Sequence, residues 1–189
     1  MDWLRAFTEF LDNKSVAAFA GAFFAFLLVI VNDWRRERRK VKNIRGEIEM
    51  NEGIAQKKLE TVRRNRSAMR DHNKVMPAPI LKFNTTLIRA LATDALSHLT
   101  IDQRRALEAL CYTMEATDDV LADAYSLAKE FSKPSEPSVR MANAERLLIE
   151  FGDAIVNLKR LIEMCSNYVA GEFAIITTKQ YDRLEYEEK

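Results

Sequence analysis

Glycine and proline are scarce in this chain, whose 189 residues include five glycines and four prolines. Average usage would supply about twenty of these two residue types together. β-Sandwiches, barrels and propellers need a turn about every dozen residues, and nucleotide-binding loops need closely spaced glycines. The shortage excludes those classes. Because 48% of the residues are hydrophobic and 30% are charged, the composition favours a well-patterned helical protein over a disordered one.

Residues suited to a catalytic or metal-binding site are also few. The two histidines, His72 and His98, have no acidic or cysteine partner at the spacing of a metal site or a catalytic triad. We expect Cys111 and Cys165 to be buried, reduced thiols, with a single disulfide as the alternative. Phosphate-binding loops and di-iron motifs are missing. The sequence therefore predicts no enzyme, no catalytic residue, no metal ligand and no cofactor.

Charge is absent from residues 15–31, which read SVAAFAGAFFAFLLVIV. At ~1.5 Å per residue this segment spans ~25 Å, near the short limit for a bilayer core, and residues up to Trp34 can extend it. A signal peptide would start with basic residues, whereas residues 1–14 carry a net charge of −1. A buried core helix is the remaining alternative. We predict a transmembrane helix over residues 15–34.

Basic residues follow the apolar segment in the run RRERRKVK. Seven of them lie within about fifteen residues after the span, against Arg5 and Lys14 before it. This bias predicts that the C-terminal side lies in the cytoplasm and the N-terminus outside. A basic cluster of this kind also attracts anionic lipid, and the residues that we expect to do so are Arg35, Arg36, Arg38, Arg39, Lys40 and Lys42.

Residues 1–14 have the pattern of an amphipathic helix, which we expect to lie in the outer headgroup layer. The predicted membrane-interface residues are its aromatic side chains and the tryptophan after the span: Trp3, Phe7, Phe10 and Trp34. Within the span, Ala17, Gly21 and Ala25 recur every four residues. Such a ridge of small residues lets two membrane helices approach closely, so a homo-oligomer through the transmembrane helix is the corresponding expectation.

Helical periodicity continues through residues 35–76, the predicted basic segment and stalk helix. Apolar residues recur there at every seventh position: Val41, Ile48, Ala55, Val62 and Met69. The companion heptad position is apolar at Ile44 and then polar, at Asn51, Lys58 and Asn65. We interpret this as one apolar stripe packed on a bundle rather than as a full two-stranded coiled coil. Gly46 and Gly53 mark places where the helix could bend.

Residues 80–189 are predicted to form the remaining helices, with linkers at residues 76–79 and 132–138 that contain all four prolines. The second helix covers about residues 85–99. Residues 100–103 form a capping box that starts a third helix. Gly171 is a candidate C-cap of the fourth, with continuation through Phe173, Ile176 and Leu184 as the alternative. Because short connections join these amphipathic helices, the predicted fold class is all-α, an antiparallel bundle of about four helices whose first helix continues the membrane span.

The layout of a short N-terminal span, a basic stop-transfer run and the helix EIEMNEGIAQKKLETV (residues 47–62) resembles a loose, uncharacterised group of small bacterial single-pass membrane proteins. In that group an E-x-x-x-N stretch, filled here by Glu47 and Asn51, precedes helices similar to residues 87–99 and an L-x-x-L run similar to residues 107–110. A later helix is similar to residues 112–127. The resemblance implies a bacterial inner-membrane setting and no particular activity.

These patterns predict a membrane-anchored helical interaction or scaffold protein whose bundle binds an unidentified cytoplasmic protein while its span contacts the lipid bilayer. One alternative is an oligomerising membrane effector or sensor that perturbs or gates the bilayer. A second is a membrane-tethered nucleic-acid binder, since residues 63–66 (RRNR) add to the basic run. Topology alone requires basic residues after a span, so we do not expect nucleic acid to be a partner.

Overall fold

The computed structural model describes residues 14–75, 81–133 and 136–177, with side chains from residue 18 to residue 176. In these ranges the chain forms helices and no strand, so the predicted all-helical class is confirmed. The α-helices are α1 (Lys14–His72), α2 (Thr85–Asp94), α3 (Ile101–Phe131), α4 (Pro137–Ala170) and α5 (Phe173–Thr177). Trp3, Phe7 and Phe10 lie outside the described residues, as does nearly all of the predicted N-terminal amphipathic helix.

The chain divides into two compact units, one ending at Lys40 and the other starting at Val41. In the first unit, the part of α1 from residue 18 to residue 34 is apolar, and none of its side chains is buried. This helix is long and apolar enough to cross a membrane. A core helix of a soluble protein would be mostly buried, so its exposure speaks against that alternative.

The second unit has its own hydrophobic core, to which α1, α3 and α4 contribute most and α2 and α5 contribute Ile88 and Ile176. The predicted heptad stripe of α1 lies in it, with Ile48, Ala55, Val62 and Met69 buried. The ring of Phe151 in α4 packs edge-on against Tyr125 in α3, with 6.1 Å between centroids. Other large, fully buried side chains come from α3 and α4: Leu110, Met114, Leu121, Leu147, Leu158, Leu161 and Met164.

Helix α2 ends earlier than the periodicity predicts. Its last helical residue is Asp94, the N–H of the C-cap Ala95 still donates to the Leu91 carbonyl, and a 3₁₀ turn, Leu96–His98, follows. Across residues 85–99 the apolar side chains are only partly covered, because Ile88 and Leu99 are buried whereas Leu87 and Leu96 are exposed. A 3₁₀ turn has about three residues per turn instead of 3.6, which rotates the side chains that follow out of the α-helical register.

Local signals fixed several helix ends correctly. The Thr100 hydroxyl accepts the Gln103 N–H, and the Gln103 side chain accepts the Thr100 N–H, which is the predicted capping box. Gly171 caps α4 with φ +89°, in the left-handed region that favours glycine. The predicted linker 132–138 is too long by two residues, because Pro137 opens α4, where its lack of an N–H costs nothing.

Candidate functional site

The exposed apolar surface of α1 and the basic residues after it form the first candidate site. The guanidinium carbon of Arg38 lies 3.7 Å from the centroid of the Trp34 ring, which is half exposed. Lys40 is half-buried, and its Nζ lies 2.8 Å from Oε1 of Glu37. The other predicted lipid-contacting residues are exposed: Arg35, Arg36, Arg38, Arg39 and Lys42. The charge of Lys40 is thus countered within the helix, whereas the others face outward.

The predicted small-residue ridge lies on this same helix. Gly21 and Ala25 are exposed, and no other part of the described chain comes within 4 Å of the place where a Cβ of Gly21 would lie. Ala17 is helical, and its side chain lies outside the description. The ridge is therefore open to a second helix.

The second candidate site is a buried polar seam, which we define as Asn51, Lys58 and Asn65 of α1 with Asp118 and Tyr125 of α3. Asn51 and Asn65 are completely or almost completely buried, and the Lys58 side chain is only 11% exposed. The single apolar stripe of α1 is largely buried, and the polar companion positions are buried beside it. The polar heptad positions are part of the packing between helices.

Lys58 and Asp118 form the centre of the seam. Nζ of Lys58 lies 2.5 Å from Oδ1 of Asp118, and Oδ2 of Asp118 accepts the N–H of Phe83 at 2.8 Å. The same ammonium group lies 3.8 Å from the centroid of the Phe83 ring. Burial lowers the pKa of Lys58, and the hydrogen bond and the negative charge of Asp118 partly oppose this. One carboxylate therefore joins α1, α3 and the chain segment that enters α2.

The two asparagines complete the seam. The side chain of Asn51 donates to the Glu47 carbonyl at 2.8 Å and accepts the N–H of Asn84 at 3.1 Å. Nδ2 of Asn65 lies 3.4 Å from the Tyr125 hydroxyl. Buried polar groups are costly unless they are hydrogen-bonded, so these partners fix which residues can face each other. The strict seven-residue spacing after Ile44 is the sequence signal for this site.

A groove between α2 and α3 is the third candidate site, with a cavity of about 300 Å³. At one edge of the groove, the guanidinium of Arg89 in α2 contacts both carboxylate oxygens of Glu115 in α3. The Thr85 hydroxyl donates to the same carboxylate. Arg89 thereby holds the pKa of Glu115 below its usual range. The groove is mostly apolar, and its lining includes Ile88, Ala92, Leu96, Leu99, Leu107 and Cys111.

The cysteines lie inside the second unit. Cys111 and Cys165 are free and buried, as predicted. Burial raises the pKa of Cys111 to about 11 and that of Cys165 to about 12. Because the thiolate is the reactive form, neither residue is suited to nucleophilic chemistry near neutral pH. In the described ranges, no group of three or more His, Cys, Asp or Glu residues is arranged to hold a metal ion.

Comparison with known proteins assigns no relative. The chain matches no protein-family model, no curated protein and no solved structure. The resemblance to small bacterial single-pass proteins stays a prediction.

Proposed function

We propose that this protein is a membrane-anchored helical interaction protein, held by one transmembrane helix and binding a cytoplasmic protein through its second unit. The observation that carries the proposal is the segment from residue 18 to residue 34, an apolar helix with no buried side chain. Exposing so much apolar surface to water is costly, at ~25 cal/mol per Å², and a bilayer removes that cost.

The basic residues support an orientation with the N-terminus outside and the second unit in the cytoplasm. Positive charge accumulates on the cytoplasmic side of a span, and the exposed arginines at positions 35, 36, 38 and 39 lie directly after this one. Arg38, stacked on Trp34, joins a charge suited to anionic headgroups to an aromatic ring suited to the membrane interface. A bacterial inner membrane is the setting that the resemblance implies.

Side-chain contacts support an antiparallel bundle as the architecture of the second unit. Lys58 contacts Asp118 and Asn65 contacts Tyr125, and the separation is 60 residues in both pairs, as expected for α1 and α3 running in the same direction. In contrast, Glu52 accepts from Ser166 whereas Arg66 lies beside Gly152. The residue numbers of the α4 partners fall as those of α1 rise, so α4 runs in the opposite direction to α1. Helix α4 then runs antiparallel to both α1 and α3, while α1 and α3 are parallel to each other.

The α2–α3 groove is the surface that we propose for the protein partner. Its apolar floor is large enough for one or two side chains of a partner. Leu96 at its edge is half exposed, and Ile101 at the start of α3 is more exposed still. Burying a partner's side chain between these residues would contribute about 1.5–3 kcal/mol, typical of one anchor in a transient complex.

Membrane fractionation and protease accessibility test the anchor. The full-length protein, tagged at its C-terminus, is expected to stay in the membrane pellet after alkaline carbonate extraction. The C-terminal tag should resist protease in intact spheroplasts and become accessible once they are lysed. Release by carbonate, or digestion of the tag in intact spheroplasts, would reject the proposed topology. As a control, replacing Phe23 and Phe26 with arginines should move the protein to the soluble fraction.

Site-specific photo-cross-linking tests the groove. A photoreactive residue at Leu96 should give one adduct of constant mass in cells, whereas the same residue at Ile149, an exposed position of α4, should not. Equal adduct patterns from the two positions would exclude the groove as the docking surface.

A homo-oligomer formed by the membrane helix is a second candidate, supported by the open ridge at Gly21. Gly21→Ile should abolish self-association in a membrane reporter assay, and Ala20→Ile, one position away, should leave it unchanged. Self-association that survives Gly21→Ile argues against an interface through this ridge.

A further inference from the structure

Three arginines converge on a cavity between α1 and α4. Arg63, Arg66 and Arg70 are spaced three and four residues apart, so they lie on one face of α1, with Ser67 between them. Together with Ile155 of α4 they line a cavity of about 270 Å³. This volume is just below the range typical of sites for drug-sized ligands and suits a small anion.

Arg66 is the central member of this cluster. A run of arginines ordinarily indicates a solvent-exposed helix face, but Arg66 is half-buried and lies beside Gly152 of α4. A Cβ at Gly152 would lie 3.7 Å from Nη2 and 3.8 Å from Cζ of Arg66. Any side chain larger than alanine would compete for the space of the guanidinium. The glycine in the middle of α4, which costs about 1 kcal/mol relative to alanine, thus leaves room for this arginine.

The charge of the cluster is incompletely balanced. Nε of Arg70 lies 3.2 Å from its neighbour Asp71, an exposed pair that is worth little in water. Among the residues that the structure describes, Arg63 and Arg66 form no ion pair within 4 Å. By contrast Arg64, on another face of α1, pairs with Glu60 at 3.0 Å. Like charges three and four residues apart destabilise a helix, so a bound anion would relieve the repulsion.

We propose that this cavity binds a phosphate-type dianion, as a soluble phosphate or as the headgroup of an anionic lipid. A guanidinium presents paired N–H donors that match phosphate oxygens, and the Ser67 hydroxyl supplies a further donor. Arg66 is the main ligand because it is half-buried, where charge–charge attraction is less screened. Arg63 and Arg70 add charge at the mouth of the cavity.

Calorimetric titration of the full-length protein in an uncharged maltoside detergent, with pyrophosphate as the probe at fixed ionic strength, tests this site. Wild type should bind saturably. Arg66→Ala should weaken binding by about ten-fold or more, since a hydrogen bond to a charged group is worth ~1.5–3 kcal/mol. Arg64→Ala removes the same charge two positions away and should change the affinity by less than about two-fold. Equal losses in the two variants, or no saturable binding by wild type, overturn the proposal.

A second pair of variants excludes a folding artefact. Gly152→Glu would place a carboxylate beside Arg66 and should abolish binding, whereas Gly152→Ala keeps ordinary contact distances and should retain it. Binding that survives Gly152→Glu would contradict the assignment.

The source of the anion is identified by comparing nanodiscs. If phosphatidic acid is the source, protein in nanodiscs that contain phosphatidic acid should bind pyrophosphate more weakly, because the lipid headgroup occupies the site. Protein in nanodiscs of phosphatidylcholine alone should bind pyrophosphate as it does in detergent. If both leave pyrophosphate binding unchanged, the ligand is a soluble phosphate. Binding to duplex DNA without any binding of pyrophosphate overturns the proposal in favour of nucleic acid.

Discussion

Replacing Asp118 with asparagine removes one negative charge from the buried polar seam and changes little else. Asparagine has nearly the same shape and keeps an oxygen that can accept the Phe83 N–H. The ammonium group of Lys58, only 11% exposed, loses its counter-charge. Breaking a buried ion pair by removing one partner typically costs ~3–5 kcal/mol, because the other charge is left uncompensated.

The structure also sets an upper bound on this cost. Lys58 can lose its proton instead of remaining as a buried charge. An unfolded lysine titrates near ~10.4, so deprotonation at pH 7 costs about 4.6 kcal/mol at ~1.36 kcal/mol per pH unit. At pH 9 the same step costs only about 1.9 kcal/mol. The expected destabilisation is therefore ~3–4.6 kcal/mol at pH 7 and no more than about 1.9 kcal/mol at pH 9.

The sign of this pH dependence follows from proton binding. Burial already lowers the pKa of Lys58, and Asp118→Asn removes the hydrogen bond to a charged group and the attraction that oppose this, so the pKa falls further. Between that lowered pKa and ~10.4 the unfolded chain holds more protons than the folded chain. Because the pKa of Lys58 is already lowered in wild type, the stability of the variant relative to wild type rises with pH between the pKa of the variant and that of wild type.

Urea unfolding of the full-length protein in uncharged detergent, followed by circular dichroism at pH 7 and pH 9, measures how much unfolding free energy Asp118→Asn removes and how that loss depends on pH. A difference in unfolding free energy between wild type and variant below about 1 kcal/mol at pH 7 would refute the claim that the Lys58–Asp118 pair is buried, since exposed ion pairs contribute no more than that. An equal difference at pH 7 and pH 9 would refute the role of Lys58. Adding Lys58→Met to the variant should remove the pH dependence of this difference.

Three further predictions concern helix ends and thiols. Thr100→Ala should cost ~1 kcal/mol in urea unfolding by removing the cap of α3, whereas Thr100→Ser should cost little; equal losses would contradict the capping role. Gly171→Ala should cost ~1–2 kcal/mol in the same assay, because φ is +89°, and a neutral result would place the residue outside the left-handed region. The thiol pKa values of Cys111 and Cys165 are raised to about 11 and about 12. Both thiols should therefore resist alkylation by iodoacetamide at pH 8 until urea is added, as followed by mass spectrometry. Rapid labelling of the folded protein would contradict their burial.

Features that depend on neighbouring residues were predictable from the sequence. The capping box of Thr100 and Gln103 and the C-cap at Gly171 were predicted correctly, because each depends on a few adjacent side chains or on one backbone angle. The apolar segment after residue 15 was predicted as a helix for the same reason.

The polar heptad positions show where local reasoning failed. A lysine considered by itself indicates an exposed position. Lys58 is buried because Asp118, 60 residues away, supplies a counter-charge that offsets the cost of desolvating its ammonium group. In the same way, nothing in α1 alone indicates that Arg66 is half-buried, because its position depends on the small residue that faces it, Gly152 of α4. The candidate anion cavity therefore had no signature in α1 beyond a run of arginines.

Sequence alone established the helical class, the long apolar segment with its basic flank, and several helix ends, because helix propensity, hydropathy and capping act over a few residues. Tertiary structure decided which polar residues are buried, where α2 leaves its register, and which arginines share a cavity. These outcomes depend on the partner that each side chain meets across a helix interface. The free energies of desolvation and of ion pairing depend on both helices that meet at an interface, so the sequence of one helix does not determine them.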